Sequence, residues 1–369
     1  MPEVNALAAK VLLAAFFLSV AFGVIAQRTH FCTMGALSDA WNMGDTTRLR
    51  QWALAAGVAI LGFWALVVAG QVDPTMTLYS ASRWIWLSAA VGGALFGFGM
   101  VLASGCGSKN LLRMGSGSLK AVVVLVVLGL SAFATLKGIT AVLRVGTVDQ
   151  VGIDFAGPAL LPMALAQFSG WSLPTAGMAA ALLLGGGLVA WALAGRGFRT
   201  FDNLLAGFGL GAVIVAAWWV SAHLGYVAEH PHTLEESFLA TNSGRAEALS
   251  FVSPVAYTLD WLMFFSDRSK LLTVGIVSVF GVIAGSFAAS VADRSFRWEG
   301  FGGTEDVGNH LAGGVLMGVG GVTAMGCTIG QGMSGISTLS ATSFVAVAGI
   351  AGGAILAFKY QMWRMERSA

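Results

Sequence analysis

A glycine-rich, apolar segment that ends in Gly-Cys occurs twice in this sequence. The first copy runs from Gly92 to Cys106 and the second from Gly313 to Cys327, a shift of 221 positions (327 minus 106) that keeps nine of the fifteen residues identical. Glycine weakens a helix in water by roughly 1 kcal/mol per residue, so neither copy suits a soluble core. In a membrane, such segments let helices pack closely or end midway.

The composition indicates a membrane protein. Hydrophobic residues make up 56% of the chain and charged residues only 10%, whereas a soluble domain carries about 25% charged residues. The net charge of +2 is near balance, so no nucleic-acid partner is expected. Three cysteines are an odd number, which excludes a complete disulfide framework and favours free thiols. We therefore predict an all-α integral membrane protein.

Nine apolar runs are long enough to cross a bilayer, which takes roughly 20 residues. The first, residues 7–27, lacks a basic leader and is expected to be a retained span, not a cleaved signal peptide. A further apolar stretch, 248–265, contains Pro254, which favours a re-entrant or interfacial helix over a tenth span. The other predicted spans are 51–72, 84–105, 119–143, 173–195, 202–224, 272–292, 308–326 and 340–362.

The basic residues predict the orientation, because lysine and arginine near span ends favour the cytoplasm. With the N-terminus outside and the C-terminus in the cytoplasm, most lysines and arginines near span ends fall on the cytoplasmic side. The acidic stretch 229–247 and residues 149–172 then fall outside. The basic residues that do not fit are Lys137, Arg144, Arg268 and Lys270.

The two Gly-Cys spans are third and eighth of nine, so they are expected to cross the membrane in opposite directions. This predicts two inverted repeats. The expected boundaries are 1–144 for the first repeat, 145–200 for a connector with one span, and 201–369 for the second repeat. In transporters built this way the substrate site lies near the midplane, where broken helices meet. Cys106 and Cys327 would then face each other.

The residues after each cysteine favour an anion site. If each segment turns and opens a new half-helix, its free N–H groups attract an anion, and a thiol beside it tolerates a soft partner such as sulfur. Cys32, just past the first span, is a third candidate on the cytoplasmic side. The candidate binding residues are Cys32, Cys106, Gly107, Ser108, Lys109, Cys327, Thr328 and Gln331.

Each feature also has a structural explanation. Glycine-rich membrane helices usually serve close packing, and a free cysteine is usually a small buried hydrophobe. Repetition at equivalent positions favours a functional role over these explanations. A disulfide between Cys106 and Cys327 is another alternative, which geometry decides. Lys109 and Arg113 fit an anion-attracting role and the positive-inside rule equally well.

Three motifs carry a family resemblance. They are residues 31–39 (FCTMGALSD), 104–106 (SGC) with 115–120 (GSGSLK), and 325–332 (MGCTIGQG). Together they resemble the YeeE/YedE family of bacterial inner-membrane sulfur transporters. The resemblance implies an hourglass-like helical protein that takes up thiosulfate along Cys32, Cys106 and Cys327. It also implies a small cytoplasmic TusA-like sulfurtransferase as a partner.

The segment after Cys106 departs from the family pattern. In the family that this chain resembles, many thiosulfate-type members have threonine or serine and then glycine soon after this cysteine. This chain has Gly107, Ser108 and Lys109 instead. A lysine at this position would change how much negative charge the site tolerates, and therefore which anion it accepts. Some relatives are linked to selenium or other sulfur compounds.

Two other classes stay open. A membrane sulfurtransferase or thiol redox protein would form a persulfide on one cysteine, which requires a thiolate with a lowered pKa; Lys109 near Cys106 is the one indication. A channel without selective chemistry is the other. The sequence has no Walker loop, zinc-ligand spacing or Ser-His-Asp arrangement. We predict a transporter rather than an enzyme, with membrane lipid around it and no metal or cofactor.

Overall fold

The computed structural model describes residues 2–229 and 234–368, so residues 230–233 of the predicted acidic loop lie outside it. The described part is mostly helical and has almost no sheet. Its α-helices are α1 (Pro2–Arg28), α2 (Thr33–Ser38), α3 (Thr47–Val68), α4 (Trp86–Leu102), α5 (Gly107–Gly115), α6 (Leu119–Lys137), α7 (Ile139–Gly146), α8 (Leu161–Ser169), α9 (Leu173–Leu193), α10 (Phe201–Leu204), α11 (Leu210–Trp219), α12 (Ser253–Met263), α13 (Val274–Ala292), α14 (Thr304–Thr323) and α15 (Ala341–Ser368).

Short irregular elements connect these helices. Two antiparallel strand pairs lie in loops, β1 (Arg83–Trp84) with β2 (Ile153–Asp154) and β3 (Tyr226–Val227) with β4 (Ser237–Phe238). Wider π-helical turns, a geometry common at functional sites, occur at Asp39–Met43, Leu205–Gly209, Val220–Leu224 and Gly330–Gly335. The last of these turns lies three residues after Cys327.

All nine predicted spans contain helix. Eight helical segments in the described ranges are long and apolar enough to cross a membrane: Glu3–Met43, Thr47–Val68, Trp86–Gly115, Leu119–Lys137, Leu173–Leu193, Phe201–Leu224, Val274–Ala292 and Ala341–Arg367. The ninth prediction corresponds to α14, which has 20 residues but begins with Glu305 and Asp306 in its first turn. The predicted re-entrant or interfacial helix is α12, whose 11 residues are too short to cross.

Ion pairs show which helix ends share a face. Lys120 at the start of α6 bonds Asp306 at the start of α14, with 2.9 Å between Nζ and Oδ2, and Arg364 near the end of α15 bonds Glu305 at 2.7 Å. The neighbouring pairs are Arg28–Asp202, Arg48–Asp39 and Arg113–Glu299. We call this side the basic face. The ends of α3 and α6 and the starts of α4 and α13 form the opposite face.

Helices α4 and α14 cross at the centre through pairs of glycines. A Cβ atom at Gly92 would lie 2.7 Å from the Gly320 carbonyl oxygen, and one at Gly313 would lie 2.6 Å from the Gly99 carbonyl oxygen. Going along α4 from Gly92 to Gly99, the partner on α14 changes from Gly320 back to Gly313, so the two helices are antiparallel. The shift of 221 also converts one contact into the other (92 + 221 = 313; 99 + 221 = 320). This is the geometry of an inverted repeat.

The next contacts follow the same symmetry. Helix α15 packs on α4 as α6 packs on α14, and both contacts use glycine. A Cβ at Gly353 would overlap the Ala94 carbonyl oxygen, and one at Gly318 would lie 2.5 Å from that of Leu128. Outside these four helices, α1 packs on α13 and α3 on α9. The domain boundaries at residues 144 and 200 stay predictions.

We expect Gly353→Ala to lower the melting temperature, because the methyl group would overlap the Ala94 backbone and overpacking costs roughly 1–3 kcal/mol. Gly352→Ala is the matched control on the same helix, since no atom lies within 4 Å of its Cβ position. Thermal unfolding of the purified protein in detergent measures both. Equal melting temperatures would contradict the close α4–α15 contact.

A candidate functional site around three cysteines

Both central helices end in a sharp bend inside the protein. Ser104, after α4, and Met325, after α14, occupy equivalent positions and have φ angles of 56° and 58°. Non-glycine residues rarely adopt this left-handed conformation, and where they do it often marks a functional site. The bend puts Cys106 and Cys327, which are 2% and 0% exposed, at the start of the segments that follow. The predicted break before each cysteine is therefore present.

The three thiols have local hydrogen-bond partners. The backbone N–H of Gly330 donates to Cys327 Sγ at 3.3 Å, and the N–H of Gly35 donates to Cys32 Sγ at the same distance. Both sulfurs thus act as acceptors for the third residue after them. Cys106 Sγ instead lies 3.2 Å from Ser108 Oγ. Predicted residue Ser108 is therefore in contact with the central thiol.

Cys106 is the common neighbour of the other two cysteines. Its thiol is close enough to those of Cys32 and Cys327 to interact electrostatically with both. All three are free thiols, so the alternative of a Cys106–Cys327 disulfide is not found in this structure. The fold thereby gathers three cysteines that are separated by up to 295 residues in sequence (327 minus 32).

Two cavities lie on either side of Cys327. One, of about 250 Å³, opens toward the opposite face and has Met325 in its wall. The other, of about 190 Å³, lies toward the basic face and has Thr328 in its wall. We call them the opposite-face cavity and the basic-face cavity. Met325 and Thr328 line different cavities, so Cys327 lies in the chain segment between the two.

The opposite-face cavity has polar and charged walls that the sequence analysis did not assign to the site. Arg144 lies there, with its Nε 3.1 Å from Asp149 Oδ2. Glu247 is a second charged wall residue; burial raises the pKa of its carboxyl, while hydrogen bonds from Ser243 oppose that rise. The sequence did carry one signal, because Arg144 is an exception to the positive-inside pattern. Other polar wall residues are Asn242, Ser243, Ser250, Ser253 and Tyr257.

The remaining predicted residues of the first repeat lie around the same bend. A Cβ at Gly107 would lie 3.3 Å from the Phe251 carbonyl oxygen, so the loop before α12 packs on the start of α5. Lys109 is half-buried and has no carboxylate partner among the residues that the structure describes. It lies within electrostatic range of Cys32. The cation is thus near the basic-face end of the cysteine group.

Gln331 braces the bend of the second repeat. Its Nε2 donates to the Ala324 carbonyl oxygen at 2.6 Å, and its Oε1 accepts from Ser343 Oγ at 2.6 Å. Asn110, at the equivalent position of the first repeat, donates to the carbonyl oxygens of Gly105 and Cys106 at 2.9 and 3.1 Å. Sequence reasoning passed over Asn110, although the shift of 221 pairs it with Gln331. Both amides hold the cysteine loops in shape.

The sequence from residue 28 to residue 356 matches the model of the sulphur transport family. The chain belongs to this family, known as YeeE/YedE. The family predicted from the cysteine motifs is therefore confirmed.

This sulphur transport protein has curated relatives of similar length. It is 26% identical over 318 residues to the thiosulfate transporter TsuA of Escherichia coli K12, covering 84% of this chain and 83% of the relative. It is 25% identical over 339 residues to thiosulfate transporter TsuA of Spirochaeta thermophila, covering 88% and 91%. It is also 32% identical over 99 residues to the probable transporter YedE of E. coli K12, covering 27% and 23%.

We expect Gln331→Met to destabilise this sulphur transport protein, because the change leaves the Ala324 carbonyl and the Ser343 hydroxyl buried without the amide, at roughly 1–3 kcal/mol for each unpaired group. Gln71→Met is the control, since it removes only an exposed hydrogen bond to Trp219. Thermal unfolding should show a loss of several degrees for the first variant alone. Equal stability would mean that the brace contributes little.

Proposed function

We propose that this protein takes up thiosulfate, or a closely related small sulfur-containing anion, across the bacterial inner membrane. The observation that carries the proposal is the bend at Met325, because Met325 and Thr328 line cavities on opposite faces and Cys327 between them has Cys106 nearby. Family membership and the two thiosulfate transporters among the relatives support the substrate class.

Uptake would begin in the opposite-face cavity, which we place on the outer side because basic residues favour the cytoplasm. This puts the N-terminus outside and the C-terminus in the cytoplasm. Arg144 lies in the cavity wall. Its partner Asp149 is itself bonded to Ser88, so the guanidinium is held in place by α4. The salt bridge with Asp149 offsets the charge of Arg144, so we expect this side chain to offer N–H donors to the anion rather than a net positive field.

We place the constriction of the path at Cys327, between the two cavities, where neutral donors would replace the water of the anion. The N–H of Gly330 bonds the Cys327 sulfur, and the N–H groups of Phe251 and Ile329 also approach it. Helix α5 begins at Gly107, so its first N–H groups point back toward Cys106. A neutral hydrogen bond contributes about 1 kcal/mol net. Such contacts guide an anion without holding it, and the thiol sulfurs suit a soft sulfur atom.

The exit would lie at Cys32. Lys109 and Arg48 are within electrostatic range of this thiol, so the anion would move from neutral donors toward positive charge on the basic face. We propose that a small TusA-like sulfurtransferase receives the cargo there, on the cytoplasmic side. Membrane lipid would surround the apolar outer helices.

We expect Cys106→Ala and Cys327→Ala to reduce the uptake of radiolabelled thiosulfate to background while the protein remains folded. Ser290→Ala is the control, because it changes an equally buried small side chain on α13, away from both cavities. Uptake is measured in cells that lack other thiosulfate routes, and folding by size-exclusion chromatography. Full uptake by both cysteine variants would rule out the cysteine path.

Intact-mass spectrometry of the wild-type protein after turnover separates transport from sulfurtransferase chemistry. Transport leaves the mass unchanged. A persulfide adduct on Cys32, beside Lys109 and Arg48, would instead support the enzyme alternative.

Uptake should rise as the external pH falls from neutral toward the raised pKa of Glu247. Because burial raises the pKa of the Glu247 carboxyl, this group takes up a proton at a higher pH than an ordinary carboxyl does, which removes a negative charge from the entry cavity. Arg144, in the same wall, stays charged. Glu247→Gln should raise uptake severalfold at neutral pH and flatten the pH profile. Exposed Glu236→Gln is the control; an unaltered profile in Glu247→Gln would contradict a role for this carboxyl.

A further inference from the structure

An open, polar pocket lies on the basic face, where α9 ends and the chain turns toward α10. It is lined by residues 193–197, 199 and 200 and has a volume of about 500 Å³. We call it the loop pocket. Helix α9 packs mainly on α3 and α8, so the loop pocket lies at the edge of the helix bundle. None of the three cysteines lines it.

Three arginines lie around the loop pocket. Arg196 and Arg199 are exposed and line it. Arg50 reaches the same loop from α3, because a Cβ at Gly195 would lie 3.0 Å from Arg50 Nη1. Within the described ranges, none of the three arginines pairs with a carboxylate. The positive-inside pattern explains arginine at a span end, but not three such side chains at one pocket without a counter-charge.

Contacts with the loop hold two of these arginines in place. Arg50 donates from Nη1 to the Trp191 carbonyl oxygen, and its guanidinium carbon lies 4.4 Å from the centre of the Trp191 ring. Arg199 donates from Nε to the Leu193 carbonyl oxygen at 3.0 Å. A guanidinium has five N–H donors, so both side chains keep donors for a ligand. The loop pocket therefore offers positive charge and N–H groups that fit a phosphate.

The surroundings of the loop pocket are those of a membrane surface. Trp191 and Phe201, on either side of the pocket-lining loop, are 40% and 68% exposed, and exposed tryptophan is enriched at the level of the lipid headgroups. Farther along α9, Leu182 and Leu183 are exposed on a helix that is apolar enough to cross the bilayer. The pocket thus lies where an apolar, lipid-facing helix reaches the layer that contains lipid phosphates.

We propose that the loop pocket binds the phosphate headgroup of an anionic phospholipid through Arg50, Arg196 and Arg199. Arginine binds phosphate oxygens through paired N–H donors, and basic residues beside a membrane favour anionic over zwitterionic lipid. The acyl chains lie along the apolar outer face of α9. Because Arg50 belongs to α3 and the other two arginines follow α9, the lipid fastens these two helices together. This inference goes beyond the proposed function, since the ligand is a lipid and not the transported anion.

Native mass spectrometry tests the site in the purified full-length protein, titrated in detergent with phosphatidylglycerol or phosphatidylcholine. The wild-type protein should bind phosphatidylglycerol roughly tenfold more tightly than phosphatidylcholine, as expected when several arginines contact an anionic headgroup. The double variant Arg196→Gln with Arg199→Gln removes two charges from exposed positions and should lose this preference. Size-exclusion chromatography checks that the variant is folded.

The double variant Arg294→Gln with Arg297→Gln is the matched control. It removes the same charge from the same face, just after α13, where both arginines are exposed and neither lines the loop pocket. Its lipid preference should equal that of the wild-type protein. An equal loss of preference in both double variants, or equal affinity of the wild-type protein for the two lipids, overturns the site.

Two further measurements complete the test. Millimolar inorganic phosphate should leave phosphatidylglycerol bound; full displacement would show a site for free phosphate and overturn the lipid. Phosphatidylglycerol should also raise the melting temperature of the wild-type and control proteins more than phosphatidylcholine does, because a ligand that binds only the folded state stabilises it. The same rise in Arg196→Gln with Arg199→Gln would contradict the proposal.

Discussion

The close crossing of α4 and α14 is the contact on which the rest of the structure depends. Two helices approach this closely only where glycine replaces a side chain, because a Cβ at Gly92 or Gly313 would lie within 3 Å of the partner backbone. The contact is antiparallel and symmetric, so one set of glycines serves both repeats. In a bilayer, where lipid removes most of the hydrophobic drive for helix association, such van der Waals contact supplies much of the stability.

The crossing also determines where the cysteines lie. Each helix leaves the crossing at its C-terminal end and bends at Ser104 or Met325, and both Gly107 and Cys327, which follow the bends, contact the Phe251 backbone. Backbone that leaves helical geometry inside a membrane must still satisfy its polar groups. Asn110 and Gln331 do so by bonding carbonyl oxygens of the bends. The site is therefore held by buried amides rather than by the thiols.

Charge is separated from the constriction along the proposed path. Arg144 and Glu247 lie in the opposite-face cavity, Lys109 and Arg48 lie near Cys32, and backbone N–H groups surround Cys327 between them. A cation at the narrowest point would bind a divalent anion tightly and slow its release. Neutral donors between two charged regions give weaker, successive contacts, which suit passage.

Much of this protein could be predicted from local sequence patterns. Apolar runs of about 20 residues predict helices because a bilayer requires internally bonded backbone, and all nine runs contain helix. The repeat predicts the inverted pair α4 and α14, since equal sequences in oppositely directed spans form equal contacts. The cysteine motifs predict the family, which the match over residues 28–356 confirms.

What only the tertiary structure decided are the contacts between distant residues. Nothing local to Gln331 shows that its amide is already bonded at both ends. Nothing local to Thr33, Trp52 and Thr328 shows that the three residues line one cavity. Arg144 and Glu247 likewise join one wall from separate loops. Periodicity and composition report how each segment meets the membrane. Hydrogen-bond partners and cavity walls depend on how segments hundreds of residues apart pack, which a single sequence does not encode in any local pattern.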